Sequence, residues 1–198
     1  MKVALIGASG KVGQRLVAEL TGRGHQVTGI ARQPAETGVP MVVADANDRA
    51  ALAEAIRGSD ALMVAGRFVS MDVATILAAL ADAGVSRLLV VGGAGSLFIA
   101  PGLQLVDAPG MPAEFLPEVR GGKAFLETLQ ASDADWTFLS PAAQFGPGER
   151  TGIYRLGGDD LMRDDAGNSR ISYEDLAKAL VDELEVPRHG RQRFSIAY

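Results

Sequence analysis

The 198-residue sequence predicts an α/β protein built on a doubly wound, parallel β-sheet. Three observations support this class. Apolar runs alternate with segments of helical periodicity along the chain. The runs at 61–65 and 88–91 are continuously apolar, which is typical of strands buried on both faces of a sheet. The first run leads through a glycine-rich turn, residues 7–13, directly into a helical segment. We expect residues 1–198 to form a single domain.

The elements follow in order from these patterns. The first helix is indicated by Leu16 and Leu20 at helical spacing, the third is expected to end at Gly84, and Ser172 is placed to cap the last. The predicted strands lie near residues 2–6, 25–30, 41–44, 60–65, 86–91 and 135–139. The predicted helices lie near residues 11–22, 48–57, 70–83, 118–131 and 173–185.

Two long segments interrupt this alternation, residues 92–117 and 140–158. Both are rich in glycine and proline, and both follow predicted strands. They should therefore lie at the carboxyl edge of the sheet, where open α/β sheets bind ligands. We expect loop insertions on the substrate side; the alternative is that these loops contact no ligand.

Composition narrows the class of function. With 47% hydrophobic and 22% charged residues the chain is of ordinary globular composition, and its net charge of −5 argues against nucleic-acid binding. The absence of cysteine excludes disulfides and thiolate-ligated metal clusters. The two histidines are far apart in the sequence, so no metal site is expected. No apolar run approaches a membrane span and the first strand begins at once, so we expect a cytoplasmic protein without membrane contact.

The glycine-rich turn is the clearest candidate binding site. The N–H groups of a first helical turn lack intrahelical partners, and the helix dipole adds positive charge there, so this turn favours a pyrophosphate. Gly7 would make the turn, Gly10 would leave room for the diphosphate, and Gly13 would let the helix pack on the sheet. The alternative is a tight strand-to-helix connection without a ligand.

The second predicted strand indicates which dinucleotide is bound. Sites that prefer NAD place an Asp or Glu after this strand, whereas this chain carries Arg32 and no carboxylate. Arg32 could pair with the 2′-phosphate of NADP(H). Two alternatives remain: the bound cofactor is NAD(H), or Arg32 is an exposed surface residue without a ligand. Asp45 could accept a hydrogen bond from the adenine amine or cap the helix that follows it.

Five motifs resemble those of atypical short-chain dehydrogenase/reductases, in particular small NAD(P)-binding proteins of the NADH–flavin reductase and NmrA-like groups. The motifs are residues 7–13 (GASGKVG), 90–97 (VVGGAGSL), 135–142 (DWTFLSPA), 147–152 (PGERTG) and 171–175 (ISYED). The resemblance implies a Rossmann-like sheet with NADP(H) across its carboxyl edge. The predicted cofactor-binding residues are Gly7, Ser9, Gly10, Lys11, Val12, Gly13, Arg32, Asp45, Ala46, Ala65, Gly66, Gly92, Gly93, Ser140, Pro141 and Ala142.

One departure from the wider superfamily concerns the reaction. The usual Tyr-x-x-x-Lys pair would place a tyrosine four residues before Lys123, but Val119 stands there, so the proton donor for alcohol–ketone exchange is missing. We interpret Lys123 as a helix-surface lysine. Ser96 is the candidate catalytic residue, because its hydroxyl could hydrogen-bond an acceptor or steady the nicotinamide; the alternative is that it caps a turn.

These features predict an NADPH-dependent reductase that passes a hydride to a small-molecule acceptor, a flavin or a quinone-like compound, which mainly requires alignment of the reactants. A non-enzymatic redox sensor that binds NADP(H) and regulates a partner protein is the alternative. Reduction of a small carbonyl or enone with a non-standard acid is a third hypothesis. The sequence leaves open whether the protein is a monomer or a homodimer.

Overall fold

The structure, a computed structural model, describes residues 1–198. The strands are β1 Lys2–Ile6, β2 Gln26–Ala31, β3 Met41–Val43, β4 Ala61–Val64, β5 Arg87–Val91, β6 Phe98–Ala100, β7 Leu103–Gln104, β8 Asp135–Ser140, β9 Gln144–Gly146, β10 Arg155–Gly157, β11 Arg170–Ser172 and β12 Gln192–Ala197. The helices are α1 Lys11–Gly22, α2 Arg49–Ile56, α3 Val73–Ala83, α4 Leu116–Gln130 and α5 Tyr173–Glu185. Phe68–Ser70 and Leu105–Asp107 form short 3₁₀ turns.

The central sheet has eight strands in the order β10-β12-β8-β5-β4-β1-β2-β3, and all pairs are parallel except β10 with β12. The chain runs outward from β1 to β3 and then returns to β4 on the other side of β1. The strand order therefore reverses between β1 and β4, which is where doubly wound sheets open a crevice for ligands. The predicted fold class is confirmed.

The helices cover both faces of this sheet. Leu16 and Leu20 of α1 pack with Leu176 and Leu180 of α5 in one apolar cluster. The opposite face holds a second cluster, to which α2, α3 and α4 contribute Leu52, Ile56, Ile76, Leu80, Phe125 and Leu129. No helix combines the length and the apolar character needed to cross a membrane.

Several elements differ from the sequence prediction. Helix α3 begins at Val73 rather than near residue 70, because the Asp72 carboxylate accepts the N–H groups of Ala74 and Thr75 and so caps the helix there. The segment 92–117 contains the short hairpin β6–β7. Strands β9 to β12 were not predicted; three of them have only three residues, too few to show a period of two.

Candidate functional site

The junction of β1, α1 and β4 is closed by two glycines. Gly7 has a φ of +84°, and a Cβ there would lie 2.6 Å from the carbonyl oxygen of Ala65, just after β4. A Cβ on Gly13 would lie 2.0 Å from the carbonyl oxygen of Gly7. Any side chain at either position would push α1 or β4 away from the turn. The structure thus accounts for the sharp turn at Gly7 and for the close packing of α1 at Gly13.

The N-terminus of α1 differs from those of three other helices. Asp48, Asp72 and Ser172 cap α2, α3 and α5 with their side chains, whereas the N-cap of α1 is Gly10, which has no side chain to cap it. Its first turn contains no acidic residue, and Lys11 is its first residue. The N–H groups of this turn are therefore left for an external anion, which fits the diphosphate of a dinucleotide.

A first cavity of about 670 Å³ extends from this turn over the ends of β1 to β4. The predicted residues that line it are Gly7, Ser9, Arg32, Asp45, Ala46 and Gly66. Arg32 is exposed and makes no hydrogen bond or ion pair within the protein. An unpaired guanidinium in a ligand-sized cleft suits an anionic group such as a 2′-phosphate.

Asp45 does not cap the helix that follows it. Its Oδ1 accepts the N–H of Asn47 at 2.9 Å within its own turn, while Asp48 caps α2 by accepting the N–H of Ala51 at 3.0 Å. The alternative that Asp45 caps this helix is therefore wrong, because the N-cap lies three residues further along the chain, at Asp48. The Asp45 side chain is left at the cavity wall.

A second cavity of about 480 Å³ lies over the ends of β5 and β8. It adjoins the first cavity along the chain, because Gly66 and Arg67 line the first and Phe68 lines the second. Gly92, Gly93, Pro141 and Ala142 are the predicted cofactor residues at its wall. The remaining lining is largely apolar and includes Leu105, Met111, Phe115, Val119 and Phe145.

Helix α4 contributes two charged residues to the second cavity, Glu118 and Lys123. The Glu118 carboxylate accepts the N–H of Phe68 at 2.8 Å and that of Val69 at 3.2 Å, so it fastens the 3₁₀ turn between the cavities to α4. Lys123 Nζ lies 3.6 Å from Oδ2 of Asp107. Lys123 follows Val119 by one helical turn and lines the cavity, while its side chain is 32% exposed, so it is a helix-surface lysine that also borders the second cavity.

Ser96 borders the second cavity but is only 4% exposed. Its Oγ accepts a hydrogen bond of 3.0 Å from Nη1 of Arg193, which also bonds the Ser96 carbonyl at 3.1 Å. Arg193 is in turn held by Asp159. These contacts give Ser96 a structural role, and its catalytic role stays a prediction.

The remaining predicted cofactor residues line neither cavity. Lys11 and Val12 form the first turn of α1, and Ala65 meets the turn at Gly7. Gly10 and Gly13 lie close to the carbonyl oxygen of Gly7, so they belong to the turn itself and not to a cavity wall. Ser140 is fully buried at the end of β8, and its hydroxyl has no hydrogen-bond partner in the protein.

Residues 147–152 also lie away from both cavities, although they belong to a predicted substrate-side loop. The buried Asp175 carboxylate of α5 accepts the N–H groups of Thr151 and Gly152, at 3.2 and 2.7 Å, and the hydroxyl of Tyr198 at 2.9 Å. Burial raises the pKa of Asp175, but a hydrogen bond of 2.6 Å from the Thr151 hydroxyl, together with those from the two N–H groups and from Tyr198, outweighs burial and holds the pKa below its ordinary value. Residues 147–152 therefore have a structural role: they fasten this loop to α5, and we call them the latch.

Comparison with known proteins agrees with this arrangement. A family model described as NAD(P)H-binding matches residues 7–187. The uncharacterized protein YwnB of Bacillus subtilis (strain 168) is 41% identical over 208 residues, which cover 99% of this chain and 98% of YwnB.

Two solved structures are similar over the full length of the chain. A "putative epimerase" from Bacteroides thetaiotaomicron is 44% identical, with a TM-score of 0.92 over 100% of this chain and 96% of that one. A "putative NADH-flavin reductase" from Streptococcus pneumoniae TIGR4 is 35% identical, with a TM-score of 0.89 over 100% and 99% of the two chains. The resemblance found in the sequence motifs is confirmed, and the chain belongs to the NAD(P)H-binding family.

Proposed function

We propose that this protein is an NADPH-dependent reductase that passes a hydride to a flavin or a quinone-like acceptor. The observation that carries the proposal is the pair of adjoining cavities at the carboxyl edge of the sheet. One is suited to a phosphorylated nucleotide and the other to an apolar ring system. Their shared boundary, from Gly66 to Phe68, lies where a nicotinamide would pass from one to the other.

The first cavity would hold the nucleotide portion of the cofactor. The uncapped turn that begins at Gly10 would bind the diphosphate through backbone N–H groups. Arg32 would pair with the 2′-phosphate, and Asp45 stays available to the adenine amine. This assignment favours NADPH over NADH, because the cavity offers a free cation at the place where NAD-specific sites hold a carboxylate.

The second cavity would hold the acceptor. When bound, NADPH supplies a hydride carrying two electrons, and one proton from water completes the reduced acceptor. Val119 stands where the wider superfamily places its proton-donating tyrosine, so the site favours acceptors that need no strong acid from the protein. The lining beside the acceptor is largely apolar, and Glu118 keeps the turn at Phe68 in place.

The names of the similar proteins point in more than one direction. The Streptococcus pneumoniae protein is described as a "putative NADH-flavin reductase", which supports a flavin acceptor but names NADH, whereas the Bacteroides thetaiotaomicron protein is described as a "putative epimerase". A direct assay is therefore required to separate hydride transfer to an external acceptor from other nicotinamide chemistry.

The assay follows the loss of nicotinamide absorbance on mixing purified protein and NADPH with riboflavin, FMN, FAD or a small naphthoquinone. We expect turnover that saturates with acceptor and is faster with NADPH than with NADH. Heat-denatured protein corrects for the direct reaction of NADPH with each acceptor. Tight NADPH binding without turnover on any acceptor would overturn the proposal in favour of the redox-sensor alternative.

A further inference from the structure

We infer that the turn after β5, residues 94–97, is a catalytic part of the second cavity. Its backbone N–H groups would hold a carbonyl oxygen of the acceptor and stabilise the negative charge that this oxygen gains with the hydride. The inference rests on the proposed function and names the group that assists the reaction in place of the missing tyrosine.

Hydrogen bonds within the protein use the acceptors of this turn and leave its donors unused. The carbonyl oxygens of residues 94, 95 and 96 each accept a hydrogen bond of 2.9 to 3.1 Å, from Leu97, Val106 and Arg193 respectively. The N–H groups of the same residues donate to no acceptor in the protein. The backbone of residues 94–96 therefore has unpaired donors and no unpaired acceptor.

These donors belong to residues at the wall of the second cavity. Ala94, Gly95 and Ser96 all line it, and both Gly95 and Ser96 are buried. Buried N–H groups are almost always paired, because an unpaired one has lost its hydrogen bonds to water without replacement. An oxygen atom of a ligand in the cavity would supply the missing acceptor.

The charged side chains around this cavity balance one another. Glu118 and Lys123 are the charged residues of its lining, and each has a partner of opposite charge within 4 Å. Glu114 and Arg120 are exposed, do not line the cavity and are also of opposite sign. The unpaired backbone donors are therefore the feature of this wall that favours a negatively charged oxygen.

The turn would act when the acceptor takes up the hydride. In a quinone, the hydride bonds to one carbonyl oxygen, and an electron pair moves through the ring to the other carbonyl oxygen, which becomes an oxyanion. Water then protonates this oxygen and the hydroquinone is complete. Hydrogen bonds to an oxygen strengthen as it becomes charged, so the N–H groups stabilise the transition state more than the bound quinone. A flavin gains the corresponding charge on its pyrimidine ring, which also carries carbonyl oxygens.

A phenol measures this preference without turnover, because its phenolate oxygen resembles the charged oxygen of the reduced acceptor. 4-Nitrophenol is suitable, since it ionises near neutral pH and its phenolate absorbs visible light. Its ionisation is titrated with the protein saturated with NADP⁺, so that no hydride is present to reduce the nitro group. We expect the phenolate to bind at least about tenfold more tightly than the phenol, which lowers the ionisation midpoint by at least about one pH unit.

Gly95→Pro removes one of the donors. Gly95 is the second residue of the turn, where proline is favoured, and its φ is not positive. A Cβ at this position would lie 2.1 Å from Cγ1 of Val119, so the substitution is combined with Val119→Ala. Gly95→Ala with Val119→Ala is the matched control, because it adds the same Cβ and keeps the N–H group.

The comparison of these two variants also corrects for the positive charge of the NADP⁺ nicotinamide, which both complexes share. We expect the alanine control to keep the preference for the phenolate and the proline variant to lose at least about threefold of it. Calorimetric titration with NADP⁺ shows whether each variant is folded. If the proline variant is not, the titrations of the wild type and the alanine control decide.

The outcomes separate this inference from the proposed function. An ionisation midpoint that the NADP⁺ complex leaves unchanged, as expected if NADP⁺ itself occupied the N–H groups, would overturn the inference. So would a folded proline variant that keeps the full preference. In both cases reduction of a flavin or naphthoquinone would still support the proposed function. Absence of turnover with every acceptor would overturn the proposed function, and with it the catalytic role of the turn.

Discussion

Replacing Gly13 with alanine tests whether the contact between α1 and the turn after β1 shapes the dinucleotide site. The added Cβ would lie 2.0 Å from the Gly7 carbonyl oxygen, about 1.4 Å inside the 3.4 Å at which ordinary contact begins. Both partners belong to the backbone, so no rotamer change relieves the overlap. The start of α1 must therefore move away from the strand.

The size of the effect follows from two opposing contributions. Overpacking of this kind costs about 1–3 kcal/mol, and alanine in a helix offsets this by up to about 1 kcal/mol. We expect Gly13→Ala to lower the free energy of unfolding by about 1–2 kcal/mol. Because the N–H groups that would bind the diphosphate move with α1, NADPH affinity should fall at least about tenfold.

Gly22 offers a matched control at the other end of the same helix. A Cβ there meets no atom within 4 Å, so Gly22→Ala should raise the unfolding free energy by up to about 1 kcal/mol and leave NADPH affinity unchanged. Urea denaturation gives the stabilities and calorimetric titration gives the affinities. Equal stability and equal NADPH affinity in the two variants would refute the steric reasoning.

Two further predictions follow from side chains in the first cavity and in the latch. Arg32→Ala should weaken NADPH binding about tenfold or more and spare NADH, as measured by titration, and equal losses for both would contradict the 2′-phosphate assignment. Asp175→Asn should destabilise the protein by about 2 kcal/mol at pH 7, as measured by urea denaturation. Since the pKa of Asp175 is lowered by folding, its contribution is complete above about pH 4 and is lost as pH falls through the lower folded value. A difference from wild type that stayed constant down to about pH 3 would contradict this.

The parts of the fold that depend on local patterns could be predicted from the sequence. The continuously apolar β4, the apolar residues 88–91 of β5 and the turn at Gly7 carry their signal within a few residues. Strand β10 does not, because it is three residues long and exists only through its pairing with β12, which joins Arg155 to Ala197. No window of ordinary length contains both partners.

The candidate site divides in the same way. The glycine turn and Arg32 follow a strand directly, so their place at the sheet edge could be inferred. The hydrogen bond from Arg193 to Ser96 spans 97 residues and has no local signal. Lys123 could have been assigned to the cavity, because it shares a helical face with Val119, the position at which the sequence pattern departs from the superfamily.

The position of β12 in the sheet has a consequence for synthesis of the chain. This strand lies between β8 and β10, so β10 leaves the ribosome about forty residues before the strand that gives it backbone partners. Until then the edge of β8 is open and the apolar face of α5 lacks Phe194 and Ile196. The nascent protein thus passes through a stage in which strands β1 to β5 are complete while one sheet edge can still pair with another chain.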